Sequence, residues 1–268
     1  MDAVTAKSKK DVERVHQLRT ETRRADAALR LFADWLPRRR ADWIRRRLGD
    51  VRCKAGTVRD LDVLMLPLEE LGRQLPKQAG KWLLDRAELF RAEAMHSLRR
   101  FCRQLLKHGF EDRTRSLTDR IGWRHASAEP SPSELGSLAI GRLATDFFCR
   151  VDLLRDDRQQ LHKVRILGRR LRYTLDLLRD VLPAFPAEAA CRELSEIQES
   201  LGLANDQATA LQFLQSSAAE CGRKPVTEPL RRAIDSLKIT MAEQVELVIH
   251  EVTGKVDRVR SFVAELTR

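Results

Sequence analysis

Aromatic residues make up only 5% of this 268-residue chain, which also has few glycines (12) and prolines (9). Strand-rich folds depend on β-branched and aromatic residues and on turns rich in glycine and proline, so this composition argues against them. Leu, Ala, Arg and Glu dominate instead, and these residues lose little side-chain freedom in a helix. The composition therefore predicts an all-α protein.

The chain also lacks a long apolar segment and any closely spaced pair of cysteines. No run approaches the about 20 apolar residues that a membrane-spanning helix needs, and residues 1–10 contain no apolar signal core. The wide spacing of the cysteines argues against disulfides and against a zinc site. They are Cys53, Cys102, Cys149, Cys191 and Cys221. We therefore expect a cytoplasmic protein with no membrane association, metal or cofactor.

Basic residues are in excess. Fifty Lys and Arg stand against 39 Asp and Glu, which gives a formal net charge of +11 and a pI of about 9.9. Such a balance favours anionic partners, namely nucleic acid, acidic lipid or a phosphate polymer. Arginine is the commoner of the two basic residues, and its planar guanidinium can hold two phosphate oxygens at once.

Apolar residues recur every three or four positions along most of the chain, which predicts helices. We place them at 8–36, 38–54, 57–73, 79–108, 134–155, 158–182, 187–202, 204–221 and 226–265. Helix-breaking residues separate them: Pro37, Gly56, Pro76, Gly109, Pro183, Pro186, Gly202 and Pro225. The segment 119–133 is the predicted linker, between a first helical repeat at 1–118 and a second at 134–268.

An internal repeat is the most informative feature, since residues 16–68 align without a gap to 162–214. The alignment pairs His16 with His162, and it also pairs the following arginines. These are Arg19 with Arg165, Arg23 with Arg169, Arg24 with Arg170, and Arg46 with Arg192. It further pairs Leu36-Pro37 with Leu182-Pro183, Gly56 with Gly202, and Asp60 with Asp206. This shared register predicts a tandem duplication.

Each copy begins with His-x-x-Arg-x-x-x-Arg-Arg. At about 100° per residue, His16, Arg19 and Arg23 fall within an arc of roughly 60° and form a His/Arg stripe on one helix face. Apolar residues occupy the opposite face, which we expect to be buried. They are Leu18, Ala25, Leu29, Phe32 and Leu36 in the first copy, and Val164, Leu171, Leu175, Leu178 and Leu182 in the second. Cations at about 5–6 Å spacing suit the closely spaced charges of a phosphate polymer.

Some basic residues modify this pattern. Arg30 extends the first stripe, and Arg172 broadens the second. Arg24 and Arg170 lie off the stripe, where they are expected to face a neighbouring helix. The two histidines add hydrogen-bond donors whose charge changes near neutral pH. Binding of an anion should therefore strengthen as the pH falls from about 8 to 5.5.

Four segments in this order resemble the CHAD family, the conserved histidine α-helical domain. The His/Arg helices beginning at Val15 and Leu161 resemble its signature helices. The segment 56–63, Gly-Thr-Val-Arg-Asp-Leu-Asp-Val, resembles its Arg-Asp-x-Asp-Val motif, and 197–206 resembles the corresponding motif of the second half. The resemblance covers about residues 12–222.

The resemblance implies two pseudo-symmetric antiparallel helical bundles and binding of inorganic polyphosphate by a basic surface that both repeats form. It also implies association with polyphosphate granules. The expected binding residues are His16, Arg19, Arg23, Arg24, His162, Lys163, Arg165, Arg169, Arg170 and Arg172. The helix at 134–155 has no counterpart before the first motif. This leaves open whether the first bundle takes a helix from a partner chain or from a longer native start, and whether the protein is a monomer or a homodimer.

Other functions remain open. Asp60 and Asp62 could suggest metal-dependent phosphoryl chemistry, but two residues apart on a helix they point in different directions. We expect Asp60 and Asp206 to position an arginine or cap a helix, and we expect no enzymatic activity. Non-specific nucleic-acid binding is the main alternative, although Tyr173 is the only tyrosine and stacking aromatics are scarce. A third possibility is a helical scaffold for an acidic protein partner, with the Trp35/Trp43 pair or the final helix as its docking surface.

Overall fold

The computed structural model describes residues 9–155 and 160–267, and these residues form eight α-helices, two short 3-10 turns and no β-strand. The helices are α1 (Lys9–Leu31), α2 (Arg38–Gln74), α3 (Lys77–Lys107), α4 (Phe110–Thr118), α5 (Pro132–Asp152), α6 (Gln160–Leu178), α7 (Ala184–Glu220) and α8 (Lys224–Leu266). The predicted all-α fold is confirmed. Within the described ranges no helix is long and apolar enough to cross a membrane.

Gly56 and Gly202 do not end helices, and the prediction that they would is wrong. α2 and α7 each run without a break through the glycine. A glycine inside a helix costs about 1 kcal/mol relative to alanine, and packing of the neighbouring residues compensates for this cost. Val58 and Leu201, close to the two glycines, are buried. Packing therefore outweighs the local preference.

Two other helix boundaries follow simple local rules. α2 begins at Arg38, immediately after Pro37, as predicted, whereas α7 begins at Ala184, immediately after Pro183, and the predicted start at 187 is wrong. Proline restricts the residue before it and suits the start of a helix, so Pro186 fits within the first turn of α7. α4 was not predicted as a helix, since it is short and follows Gly109. That glycine adopts a left-handed φ of 73°, which a residue with a side chain rarely adopts.

The helix after the predicted linker starts at a capping box. The Ser131 side chain accepts a hydrogen bond from the Glu134 backbone N–H, and the Glu134 carboxylate accepts one from the Ser131 backbone N–H. These two bonds satisfy donors that a helix start leaves without an intrahelical partner. The preceding residues 119–131 contain no regular secondary structure. The end of this irregular stretch is thereby fixed.

α2 and α7 match each other in length and register. Each has 37 residues, and the repeat alignment pairs Arg38 with Ala184 at their starts. The same register, continued past the aligned segments, relates Gln74 to Glu220 at their ends. Equivalent helices of equal length are what a tandem duplication would produce. The duplication itself stays a prediction from the sequence.

The described residues divide into two compact units. Unit 1 contains 9–23, 39–119 and 206–242, and unit 2 contains 24–38, 120–155, 160–205 and 243–267. Each unit thus takes segments from both sides of the predicted linker, because α1, α7 and α8 contribute residues to both. The units therefore differ from the sequence halves 1–118 and 134–268.

Unit 1 has its main core among α2, α3 and the parts of α7 and α8 that belong to it. Leu68, Leu83 and Leu214 are almost completely buried there. Gly72 and Gly80 allow the end of α2 to lie close to the start of α3, since a Cβ on Gly80 would stand 2.3 Å from the Gly72 carbonyl oxygen. This contact sets the turn between the two helices.

Unit 2 has a single large core around α5 and α6. The predicted apolar face of α6 is confirmed at Val164, Leu171, Leu175 and Leu178, which are all buried. The fifth predicted member, Leu182, lies beyond the end of α6 and is only partly buried. Gly168 on the same helix would place a Cβ 3.0 Å from the Phe147 ring of α5. The absence of a side chain there lets α5 and α6 pack closely, which fixes the position of the basic residues on either side of Gly168.

Candidate functional site

Arg19 of α1 is held against α2 in unit 1. Its Nη1 donates to the Asp60 carboxylate at 3.3 Å and to the Gly56 carbonyl oxygen at 3.4 Å, and its side chain is only 14% exposed. Gly56 and Asp60 both belong to the Arg-Asp motif segment. That segment therefore positions the first arginine of the His/Arg stripe, as predicted for Asp60. Capping by Asp60 is excluded, because the residue lies in the middle of α2.

Asp62 is directed at a different arginine. Arg91 of α3 donates from Nε to its carboxylate at 2.6 Å, and the Asp62 side chain is fully buried. Asp60 and Asp62 thus face different helices, which confirms the prediction that they point in different directions. Both carboxylates serve in ion pairs between helices.

The buried face of α1 differs from the one that apolar spacing predicts. Val15, Thr22 and Asp26 are buried, whereas Leu18 is only partly buried and Phe32 is 40% exposed. Polar residues replace some of the expected apolar contacts and have hydrogen-bond partners within α1, since Thr22 donates to the Arg19 carbonyl oxygen at 3.0 Å and Asp26 accepts from Arg30 at 3.0 Å. As a result Arg19 lies at the edge of the buried face and not on the open one.

The other members of the first stripe vary in exposure. His16 is exposed and Arg23 is half-buried. Arg30, which extends the stripe, pairs with Asp26 at 3.0 Å in unit 2. Its charge is therefore partly neutralised within the fold.

Arginines of α2 that the sequence did not single out lie next to the first stripe. Arg52 donates from Nη1 to the Thr22 carbonyl oxygen of α1 at 3.5 Å, and Arg59 lies two turns further along the same face of α2. The signal that could have found them is an arginine at every seventh position of this helix. It is seen at Arg38, Arg45, Arg52 and Arg59.

The second stripe lies on α6 in unit 2. His162 and Lys163 are exposed, while the arginines that follow are half-buried. These arginines are Arg165, Arg169, Arg170 and Arg172. No acidic residue occurs in α6 between 160 and 175. These positions therefore concentrate positive charge, and the one carboxylate of α6, Asp176, lies beyond them near the end of the helix.

Arg172 is held in place by two neighbours. Its Nε donates to the Gln198 Oε1 of α7 at 3.2 Å, and its guanidinium carbon lies 5.0 Å from the centre of the Tyr173 ring. Tyr173 is itself buried, so it serves as a support for the arginine. An arginine held on an aromatic ring loses less freedom when it binds an anion.

Arg24 faces a neighbouring helix, as predicted. Its Nη2 lies 3.5 Å from the Asp176 carboxylate of α6 in unit 2, with both side chains substantially exposed.

Burial, and then the negative charge of Asp176, raises the pKa of the nearby Cys191 thiol to about 11. Cys191 is therefore neutral at physiological pH and adds no negative charge beside Arg172.

These features define an all-helical protein in which two helices of related sequence carry His/Arg stripes. The CHAD domain family matches residues 2–215, and the chain belongs to this family. Polyphosphate binding is the known property of the family. The family is one of binding domains and not a known catalytic one. A search among curated proteins finds no match.

A solved structure supports the fold. The chain is similar to the crystal structure of the CHAD domain from the plant Ricinus communis, with a TM-score of 0.68. The similarity covers 90% of this chain and 82% of that one, at 21% sequence identity. At this level of identity the likeness shows a common fold.

Proposed function

We propose that this protein binds inorganic polyphosphate through basic residues of both repeats. The binding residues are His16, Arg19, Arg23, Arg24, His162, Lys163, Arg165, Arg169, Arg170 and Arg172. Family membership supports the ligand, and the two His/Arg stripes support the residues. Arg52 and Arg59 of α2 extend this proposal, because Arg52 contacts the helix that carries the first stripe.

The observation that carries the proposal is the charge on α6. Lys163 and four arginines occur between 160 and 175 with no acidic residue among them, and Gly168 packs the middle of this helix against Phe147. The fold thereby holds a dense row of cations in a fixed place. Phosphate oxygens are the groups that such a row binds best, since guanidinium and ammonium groups form short, charge-assisted hydrogen bonds with them.

The basic residues have separate roles in this proposal. The arginines and Lys163 supply permanent charge, and Arg172 is pre-oriented by Gln198 and Tyr173. His16 and His162, both exposed, add hydrogen-bond donors. Together they favour a polymer with many phosphates over a single phosphate ion.

The proposal is one of binding without catalysis. Metal-dependent phosphoryl transfer uses carboxylates that are available to hold a cation. Asp60 and Asp62 are instead engaged by Arg19 and Arg91. Their charge supports the helix packing and not a reaction centre.

We further propose that binding places the protein in the cytoplasm at polyphosphate granules. Acting at the granule surface requires affinity for long chains and tolerates either a monomer or a homodimer. Fusion to a fluorescent protein should show foci that coincide with polyphosphate staining. The foci should disappear in cells unable to make the polymer.

Nucleic acid is the main competing ligand, because its backbone would be attracted by the same cations. Single-strand binders add aromatic side chains on which bases stack. Tyr173 cannot act in this way, since its ring is buried beside Arg172. A scaffold for an acidic protein partner stays a second alternative, with the Trp35/Trp43 pair or the final helix α8 as its docking surface. In the structure the ring centres of Trp35 and Trp123 lie 4.8 Å apart.

A competition titration tests the ligand. Labelled long-chain polyphosphate is bound to the protein at physiological salt and challenged with unlabelled polyphosphate, duplex DNA, single-stranded RNA and heparin at equal charge concentration. The proposal predicts that only polyphosphate displaces the label efficiently. Equal displacement by all four polymers would reduce the site to a generic basic surface.

A further inference from the structure

A second group of arginines surrounds Trp43 in unit 1, apart from the residues of the His/Arg stripes. The guanidinium carbons of Arg113 of α4 and Arg47 lie 4.5 Å and 5.8 Å from the centre of a Trp43 ring. Three more arginines of α2 lie three or four positions from Trp43 and so share its helix face. We call these five residues the Trp43 arginine cluster: Arg39, Arg40, Arg46, Arg47 and Arg113.

Only part of the charge of this cluster is neutralised. Arg47 pairs with Asp50 at 2.9 Å, and Arg40 donates to the Ser116 carbonyl oxygen at 3.1 Å. Among the described residues no carboxylate lies within ion-pair distance of the other three cluster members. These three are exposed: Arg39, Arg46 and Arg113. Several arginines so close together repel one another unless an anion joins them.

The position of the cluster in its helix adds to this repulsion. α2 begins at Arg38, and its first turn holds consecutive arginines and no acidic residue. The N-terminus of a helix carries partial positive charge, so cations there are unfavourable and anions are favourable. The sequence thus places arginines where they destabilise the free helix.

The second repeat shows that a helix of this length forms without most of these arginines. The alignment pairs the start of α2 with the start of α7, whose first ten residues are Ala-Phe-Pro-Ala-Glu-Ala-Ala-Cys-Arg-Glu. In α7, Phe185 occupies the position of Arg39, Ala189 that of Trp43, and Glu193 that of Arg47, whereas Arg192 keeps the arginine of position 46. α7 nevertheless has the same length as α2. A role in binding explains the arginines that only α2 carries better than a role in helix formation.

We propose that the Trp43 arginine cluster is a second anion site, which takes a short segment of linear oligophosphate. The inference rests on the proposed function only in the choice of ligand, since it uses none of the same residues. Stacking on Trp43 orients the Arg113 guanidinium, which leaves its N–H groups at the edge for phosphate oxygens. Three exposed guanidinium groups match a run of linked phosphates better than a single carboxylate.

Calorimetric titration of the full chain with tripolyphosphate tests this site. One variant carries Arg39→Gln, Arg46→Gln and Arg113→Gln. A control carries Arg100→Gln, Arg103→Gln and Arg232→Gln, which removes the same charge from exposed positions of unit 1 outside the cluster. The cluster variant should bind one fewer tripolyphosphate per chain, whereas the control should keep the stoichiometry of the unmodified protein. Circular dichroism establishes that both variants are folded.

Two further measurements separate this site from the stripes. Tripolyphosphate bound at the cluster should change the fluorescence of Trp43, and Trp43→Phe should remove that change. A stripe variant with Arg23→Gln, Lys163→Gln and Arg169→Gln should keep one tripolyphosphate site together with this fluorescence change. Unaltered stoichiometry in the cluster variant would overturn the second site and leave the proposed function standing. Loss of all binding in the cluster variant, with none lost in the stripe variant, would support the cluster and contradict the stripes as the binding surface.

Discussion

Arg19 Nη1 donates to the Asp60 carboxylate at 3.3 Å, so an arginine of the first stripe is paired with a carboxylate of α2. The pair is asymmetric in exposure, with 14% of the Arg19 side chain and 43% of the Asp60 side chain exposed. Asp60 therefore competes with any phosphate for the same guanidinium, while it also holds Arg19 in place.

Replacing Asp60 by asparagine should strengthen polyphosphate binding. The amide keeps a hydrogen-bond acceptor for Arg19 but removes the negative charge that opposes the ligand. We expect a several-fold lower Kd at low salt, with an effect on stability of at most about 1 kcal/mol. The measurement is a fluorescence titration of labelled polyphosphate. A higher Kd for Asp60→Asn would show that the carboxylate charge matters more for orienting Arg19 than for opposing the anion.

The two glycines Gly168 and Gly202 should respond in opposite ways to alanine. Gly168→Ala would place a Cβ 3.0 Å from the Phe147 ring, and overpacking of this kind costs about 1–3 kcal/mol. At Gly202 no atom lies within 4 Å of a new Cβ, so alanine should stabilise the helix by about 0.5–1 kcal/mol. Urea unfolding of the two variants measures both effects. Absence of any destabilisation by Gly168→Ala would contradict the close packing of α6 on α5.

A structural feature could be predicted from the sequence where neighbouring residues determine it, and could not where packing against distant residues determines it. Pro37 marks the start of α2 through local sterics, and the buried face of α6 follows from apolar spacing, so the sequence predicts both. The start of α7 after Pro183 was instead predicted at 187, because Pro186 also suggests a boundary. The continuity of α2 and α7 through Gly56 and Gly202 depends on packing with distant residues, which local propensity does not report. Helix existence was therefore easier to predict than helix ends.

The difference between local features and packing against distant residues also applies to the candidate binding residues. The motifs place the basic residues of α1 and α6 in register, but they do not show that Arg19 is largely covered. Its burial depends on the contact with Asp60, which is 41 residues away in the chain. The contribution of Arg52 also requires knowing that α2 lies against α1 at Thr22. Pairing between helices is what the periodicity of a single helix cannot report.

The capping box at Ser131 and Glu134 should give a pH-dependent contribution to stability. Hydrogen bonds from Ser131 lower the pKa of the Glu134 carboxyl. Because this pKa is lower in the folded state, the contribution is present above the ordinary glutamate pKa and is lost as the pH falls through the lowered value. Ser131→Ala should cost about 1 kcal/mol at pH 7, and Glu134→Ala should lower the Tm at pH 7 but much less at pH 3. A constant effect of Glu134→Ala across this range would exclude the charged cap.

The most direct test of the central claim compares polyphosphate affinity in the stripe variant and the charge-matched control described above. Arg19 is left unchanged, because its contacts with Asp60 and Gly56 also support the packing of α1 on α2. Labelled long-chain polyphosphate is titrated at several salt concentrations. We predict that the stripe variant binds polyphosphate at least tenfold more weakly, a loss of about 1.4 kcal/mol in binding free energy. The plot of the logarithm of its binding constant against the logarithm of salt concentration should have a slope that is shallower by roughly two. Equal losses in the stripe variant and the control would contradict a polyphosphate site on the His/Arg stripes.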